Sequence, residues 1–396
     1  MTNDSFGPTT GRYWPFLLFT YQTMIAGSIL DNSRGPSYDA LIQAFHTGPQ
    51  VMANIFALSS VASIFSGILA PFWKNSLLGA TRTFLALQAA AAIGIATAHL
   101  LPGGIFFLFA SIFLFGFVNI SLVISSTLII TRTVPATLSL RAYTGYHAFY
   151  GLASCLAPTI IAFSNSHHWP WQSVFFLAAI LNIIVLLQTW FLPPLPPPTL
   201  EERKGPPRMQ WHHAAVFFGL MLAFYVAAEN LVTTRLVYYL QHHLHYPTPL
   251  ANHYLSAFFI ALLFGRLLFA LVNFSWRPVN ILLVSMSMAL TCLLLGMWAH
   301  PCFLAIAALA LGIFYPCTAI LIHARFPQTF ANVFATVMFL IYVVNALMHW
   351  GAGWLTEYVD IRQAMWTAPA AAILCLICLG QVYREPAAAT SRGQAR

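Results

Sequence analysis

An all-α membrane protein is the fold class this sequence predicts, and three observations predict it. Hydrophobic residues make up 59% of the 396 and charged residues only 7%, whereas a soluble globular chain carries roughly 25% charge. The apolar residues gather in runs of about 20, enough for a helix to cross the ~30 Å hydrocarbon core of a bilayer. Lys and Arg, which leave a formal net charge of +8, stand singly between those runs and form no patch, so they report membrane orientation and imply no nucleic-acid partner.

The first twelve residues are a short polar tail with no cleavage-site pattern, so no removable signal peptide is expected. Helices are then expected at about 13–31, 50–72, 81–100, 104–130, 141–163 and 171–192, separated by Gly, Pro, Asn or charged breaks. The stretch PPLPPPTLEERKGPPR (Pro193–Arg208) follows, the longest non-apolar segment, whose prolines cannot continue a helix. Six more helices are expected at about 213–241, 250–273, 278–299, 302–324, 330–355 and 363–382. The twelve transmembrane helices thus divide into a six-helix bundle over 1–192, a cytoplasmic proline-rich linker over 193–212, and a second six-helix bundle with a cytoplasmic tail over 213–396.

Basic residues orient these spans. With the N-terminus cytoplasmic, Arg12, Lys74, Arg82, Arg132, Arg141, Arg203, Lys204, Arg208, Arg266, Arg277, Arg325, Arg384, Arg392 and Arg396 fall inside, and only Arg34, Arg235 and Arg362 outside. That asymmetry places both termini in the cytoplasm of a multi-pass protein of the cytoplasmic (inner) membrane.

The halves resemble each other. TLIITRTVP (Thr127–Pro135) and AILIHARFP (Ala319–Pro327) end the fourth and tenth helices, with the prolines 192 residues apart. In the helix after each, polar residues recur at helical intervals: Tyr143, His147, Tyr150 and Ser154, then Tyr342, Asn345 and His349. Two repeats in the same orientation around polar inner faces are the plan of a transporter that rocks its halves about a midplane site.

Glu229 stands in the middle of an apolar run, His213–Gln241, where a carboxylate costs about 2.5–3.5 kcal/mol on insertion scales and should face protein or water. Tyr225, Glu229 and Thr233 share one helix face. The alternative role is a hydrogen-bonded glutamate tying two helices. Asp31 shares a face with Thr20, Met24 and Gly27, and Arg34 three residues on can modulate its charge; the alternative is a surface acid capping a loop. Asp31 and Glu229 lead as proton-coupling groups. His147 and His349 are further candidates, since an imidazole titrates near neutrality, while most other histidines cluster at expected helix ends. The HHLH run at 242–245 has no carboxylate or cysteine at ligand spacing, and the CxxC of Cys375 and Cys378 lies in an apolar helix without a second pair. No metal, cofactor or disulfide framework is implied, and no nucleophile–base pair or phosphate-cradling glycine loop marks an enzyme. Tyr315 lies within a span, and like the other buried phenols it can hydrogen-bond and stack on a solute.

Four motifs, in order and spacing, give the sequence a family resemblance. They are YHAFYGLASCLAP (Tyr146–Pro158), AFYVAAENLVTTRLVYYL (Ala223–Leu240), FGRLL (Phe264–Leu268) and GIFYP (Gly312–Pro316). Together they resemble the major facilitator superfamily, and within it the fucose-permease-like branch of sugar:proton symporters. The resemblance implies a monomeric transporter with two pseudo-symmetric bundles. It also implies acids near the end of the first helix and in the fourth. Asp31 falls close to the first position, and Asn119 stands where the second acid would be. The loop between helices two and three, GILAPFWKNSLLGATR (Gly67–Arg82), keeps the basic Lys74 and Arg82 but lacks the family's acid. Arg34, Lys74, Arg82 and Arg266 are the candidate gating residues.

The expected function is secondary transport of a small polar organic solute, sugar-like or another metabolite, by proton symport. The alternatives are an exporter of amphipathic compounds or siderophore-type chelates, and a non-transporting receptor or assembly subunit that keeps the fold. The expected partners are the solute, protons and the lipid bilayer.

Overall fold

The computed structural model describes residues 13–73, 76–198, 208–272 and 275–384, and the regular elements among these are all helical. In the first half they are α1 (Trp14–Ser33), α2 (Tyr38–Phe45), α3 (Pro49–Trp73), α4 (Leu77–Thr97), α5 (Gly104–Thr133), α6 (Ala136–Ser166) and α7 (Ser173–Gln188). In the second they are α8 (His213–His242), α9 (Thr248–Leu271), α10 (Pro278–Trp298), α11 (Cys302–Arg325), α12 (Phe330–Tyr358), α13 (Ile361–Met365) and α14 (Thr367–Arg384).

Ten helical stretches among the described residues are long and apolar enough to cross a membrane, α13 and α14 counting as one. The other two expected spans coincide with α1, a 20-residue helix diluted by Thr20, Gln22, Thr23, Asp31 and Asn32, and α7, only 16 residues long. The protein is a multi-pass, all-α integral membrane protein, with an arrangement consistent with twelve spans. Sequence reading missed α2, a short amphipathic helix that buries Tyr38 and Leu41 and ends on His46 in the left-handed region (φ 50°). It also missed the break at Trp366, which separates α13 from α14.

Breakers set the ends. Gly103 enters α5 with φ 68°, and Pro135, in extended backbone, separates α5 from α6. The largest buried apolar cluster runs from Ala215 to Val382, with a small one of Ala227, Ala228 and Ala371 in the same half, and three others lie between Phe16 and Val185. Across the seam between these groups, α3 packs on α12 and α6 on α9.

At the end of the bundle that carries α2, the seam is tightly closed. A Cβ on Gly35 would lie 2.7 Å from the Thr233 carbonyl oxygen and 3.1 Å from Thr234 Cα, so only glycine lets α1 end this close to α8. Gly353 similarly admits Ala53 and Gln50 of α3. The Glu357 carboxylate accepts the Gln50 backbone N–H at 2.7 Å, and Asp39 Oδ1 lies 2.9 Å from His242 Nε2. Tyr38 meets Tyr238 edge to face, ring centres 5.2 Å apart.

Arg34 and Arg235 are both buried, at 6% and 0% exposure. For Arg235, α8 runs seven residues further and α2 folds Tyr38 over its guanidinium.

Candidate functional site

A cavity of about 130 Å³ lies in the seam and is lined from both sides. The first half contributes Asp31 and Asn32 of α1, Arg34 just past its end, Phe56, Ser59, Ser60 and Ser63 of α3, Asn119 of α5 and Tyr150 of α6. The second contributes Asn230, Thr233 and Thr234 of α8 and Tyr342, Asn345 and His349 of α12. Helical repeat explains the grouping: Phe56, Ser59, Ser60 and Ser63 recur every three or four residues on one stripe of α3, as do Tyr342, Asn345 and His349 on α12. A polar hollow at this depth is stable only because its groups bond to one another or to what they enclose.

The bonds are specific. Asn345 Nδ2 donates to Ser60 Oγ at 3.0 Å, and its Oδ1 accepts from Asn230 Nδ2 at 3.1 Å. Gln88 Nε2 donates to Asn119 Oδ1 at 3.0 Å. Arg34 donates to the Asp31 carboxylate and to Ser59 Oγ at 3.0 Å, and it lies over the rings of Phe56 and Phe115 at 5.1 and 4.7 Å. His349 stacks on Phe56 with ring centres 5.1 Å apart, and its Nδ1 is buried without a hydrogen-bond partner among the described residues.

A second charged group adjoins the wall at Tyr150. Tyr225 donates to the Glu229 carboxylate, Arg266 lies 3.8 Å from the same carboxylate, and the Arg266 guanidinium sits 5.7 Å from the centre of the Tyr150 ring. Tyr225 stacks on Phe314 at 5.0 Å, which fixes its hydroxyl toward Glu229. Both intramembrane acids therefore rest on an arginine, Asp31 on Arg34 and Glu229 on Arg266.

Of the residues singled out from the sequence, Asp31, Arg34, Asn119, Tyr150, Thr233, Tyr342, Asn345 and His349 line the cavity. Glu229, Tyr225 and Arg266 form the adjoining group, and Tyr315 is within electrostatic reach of Arg266 and Glu229. Tyr143 and His147 are outside the cavity lining: Tyr143 bonds to the Thr127 carbonyl at 3.1 Å and to the Thr131 hydroxyl, and His147 is exposed beside Tyr146. Arg82 donates to Thr189 Oγ1 and to the Thr189 carbonyl, at 3.0 and 2.9 Å, and covers Trp190, all within the first half. Lys74 lies outside the described residues.

Sequence reasoning missed the serines of α3, Asn32, Gln88, Asn230 and Arg235. The serine stripe was the available signal, at spacing of three or four from Ser59 to Ser66. It is easily discounted, because in an apolar helix a serine hydroxyl can satisfy itself on its own backbone, as Ser60 does on the Phe56 carbonyl at 3.1 Å.

Two packed groups of membrane helices with a polar, charge-bearing hollow between them define a membrane transport protein. A family model described as Major Facilitator Superfamily matches residues 23–350, and the chain belongs to that superfamily, whose members are transporters. Among solved structures, a D-xylose–proton symporter is similar at 13% identity, over 94% of this chain and 98% of that one, with TM-score 0.78. The nucleoside transporter NupG is similar at 11% identity, over 94% and 100%, with TM-score 0.76. The E. coli fucose:proton symporter is similar at 13% identity, over 94% and 99%, with TM-score 0.63. At these identities the likeness is one of fold alone. No curated protein matches the sequence.

Proposed function

We propose that the chain is a secondary active transporter that carries one small polar organic solute by alternating access and couples it to protons. The observation that supports this reading above all is the cavity: four ionisable side chains, Asp31, Arg34, Glu229 and Arg266, gather at or beside a hollow rich in hydroxyls and amides. Residues 1–192 and 213–396 act as the two rocking bundles, joined by the linker over 193–212. Asp31 and Glu229 take up and release the proton, and Arg34 and Arg266 exchange between these acids and the solute, which is how protonation and loading become linked. Asn119, Tyr150, Thr233, Tyr342, Asn345 and His349 hydrogen-bond the solute. With both termini in the cytoplasm of the inner membrane, the closed α2 end faces outward and the molecule is a monomer in its inward-facing form. The fold neighbours named as proton symporters favour the same coupling.

The test is uptake into proteoliposomes driven by an imposed pH gradient. Asp31→Asn combined with Glu229→Gln is expected to abolish accumulation against a gradient while leaving equilibrative exchange. Accumulation at the unmodified rate by the double variant would remove the coupling assignment.

A further inference from the structure

One of the guanidiniums buried along the seam has no counter-ion in contact. Arg34 rests on Asp31 and Arg266 on Glu229, whereas Arg235 rests on neither acid. Arg235 is fully buried, and its three guanidinium nitrogens have no hydrogen-bond partner among the described residues. The side chains its charge reaches include the Tyr38 and Tyr238 phenols and the His349 ring, and no carboxylate forms an ion pair with it among the described residues. It rests against the Tyr38 ring at 4.4 Å and the Phe56 ring at 5.2 Å. Aromatic faces offset only part of the cost of burying a cation.

The repeat shows what is missing. Leu30-Asp31-Asn32-Ser33-Arg34 at the end of α1 corresponds, step for step, to Leu231-Val232-Thr233-Thr234-Arg235 in α8, the first long helix of the second half. The two arginines occupy equivalent places and meet the same ring, Phe56, at 5.1 and 5.2 Å. Three residues before Arg34 is the acid that neutralises it. Three residues before Arg235 is a valine. The half-sites are thus alike in shape and unequal in charge, and the unneutralised cation lies one ring behind the cavity wall that Phe56, Thr234 and His349 form.

We propose that the solute is an organic anion bearing a carboxylate, and that Arg235 is the positioning residue whose uncompensated charge selects it. This rests on the transport reading for its site and names the chemical class that site takes. In a low-dielectric seam a fixed cation raises the potential of the neighbouring hollow, so an anion there replaces the carboxylate that the repeat omits. Arg34, already bonded to Asp31 and Ser59 in the wall, orients the solute's acid group, and the amides and hydroxyls take the rest of it. A neutral sugar would leave Arg235 without a counter-ion.

The test pairs acids with uncharged counterparts: glucuronate with glucose, succinate with succinamide, and citrate with its trimethyl ester. Melting temperature of the purified full chain reads binding, and proteoliposome uptake reads transport. At least one acid is expected to stabilise the protein and its neutral counterpart not to. Val232→Asp, which installs the missing carboxylate and keeps Arg235, is expected to weaken that binding by roughly tenfold or more, with Arg235→Gln doing the same and Arg235→Lys retaining part. A merely structural arginine would leave selectivity between acid and neutral partner unmoved in Val232→Asp. Stabilisation by none of the acids, equal stabilisation by the neutral partners, or unchanged binding in Val232→Asp would each overturn the proposal. Binding of an acid without uptake would leave it standing and remove the transport reading, whereas Arg235-independent uptake of a neutral partner would do the reverse.

Discussion

Asn345 and Ser60, 285 positions apart in the chain, share a 3.0 Å hydrogen bond across the seam, and the same asparagine accepts from Asn230. One amide therefore ties α3, α8 and α12 at the cavity wall. Replacing it by leucine leaves the half-buried Asn230 amide without its acceptor, at a cost of about 1 kcal/mol. Asn345→Leu is expected to melt lower and to slow solute uptake at least several-fold, whereas Asn345→Gln should recover part of both. Thermal unfolding in detergent and initial uptake rates check this.

Gly353 controls how closely α12 approaches α3 at the α2 end. A leucine there cannot fit beside Ala53 and Gln50, so the closed seam must part. With spin labels on the exposed positions Gln43 and His245, Gly353→Leu is expected to shift the distance distribution between the halves to longer values. An unchanged distribution would show that this glycine does not set the closure.

Tyr38 joins the α2 cover to the bundle, its hydroxyl donating to the Pro49 carbonyl. Burial pushes its phenol up to about 12, with Arg235 pulling the other way. Because folding raises this pKa, the stability it contributes is complete below the ordinary tyrosine value near 10 and is lost as pH rises through about 12. Tyr38→Phe should therefore cost roughly 1 kcal/mol at neutral pH through the lost bond, and its melting temperature should fall less than the parent's in the alkaline range. Paired pH–melting curves decide it.

Much of the fold was legible because the solvent dictates it: apolar length, Gly and Pro breaks and the polar stripes locate the long helices to within a few residues. The site was legible in part. Asp31, Tyr150, Asn345 and His349 could be found because a polar side chain in an apolar helix must face inward. What sequence could not show is pairing between helices. Nothing along the chain brings Arg266 to Glu229, or tells Tyr143, bonded to its neighbouring helix, from Tyr150 on the cavity wall seven residues later. Arg235 lies inside the helix expected at 213–241, but nothing along the chain shows that α2 folds Tyr38 over it.

Arg82 was singled out for gating, but its partners Thr189 and Trp190 belong to the same half. Arg82→Gln is expected to cost about 1–2 kcal/mol of stability with uptake per folded molecule within twofold of the parent. A large loss of rate at unchanged stability would restore the gating role.

Accessibility of the cavity from both sides is the property on which the account turns. The measurement is labelling of Ser60→Cys, in a chain whose six native cysteines are replaced, by a membrane-impermeant maleimide in right-side-out and everted vesicles. The account predicts labelling from the side opposite α2 in the resting protein, and labelling from the α2 side as well once Gly353→Leu parts the seam. Labelling confined to one side in both proteins, or absent from both, would contradict it.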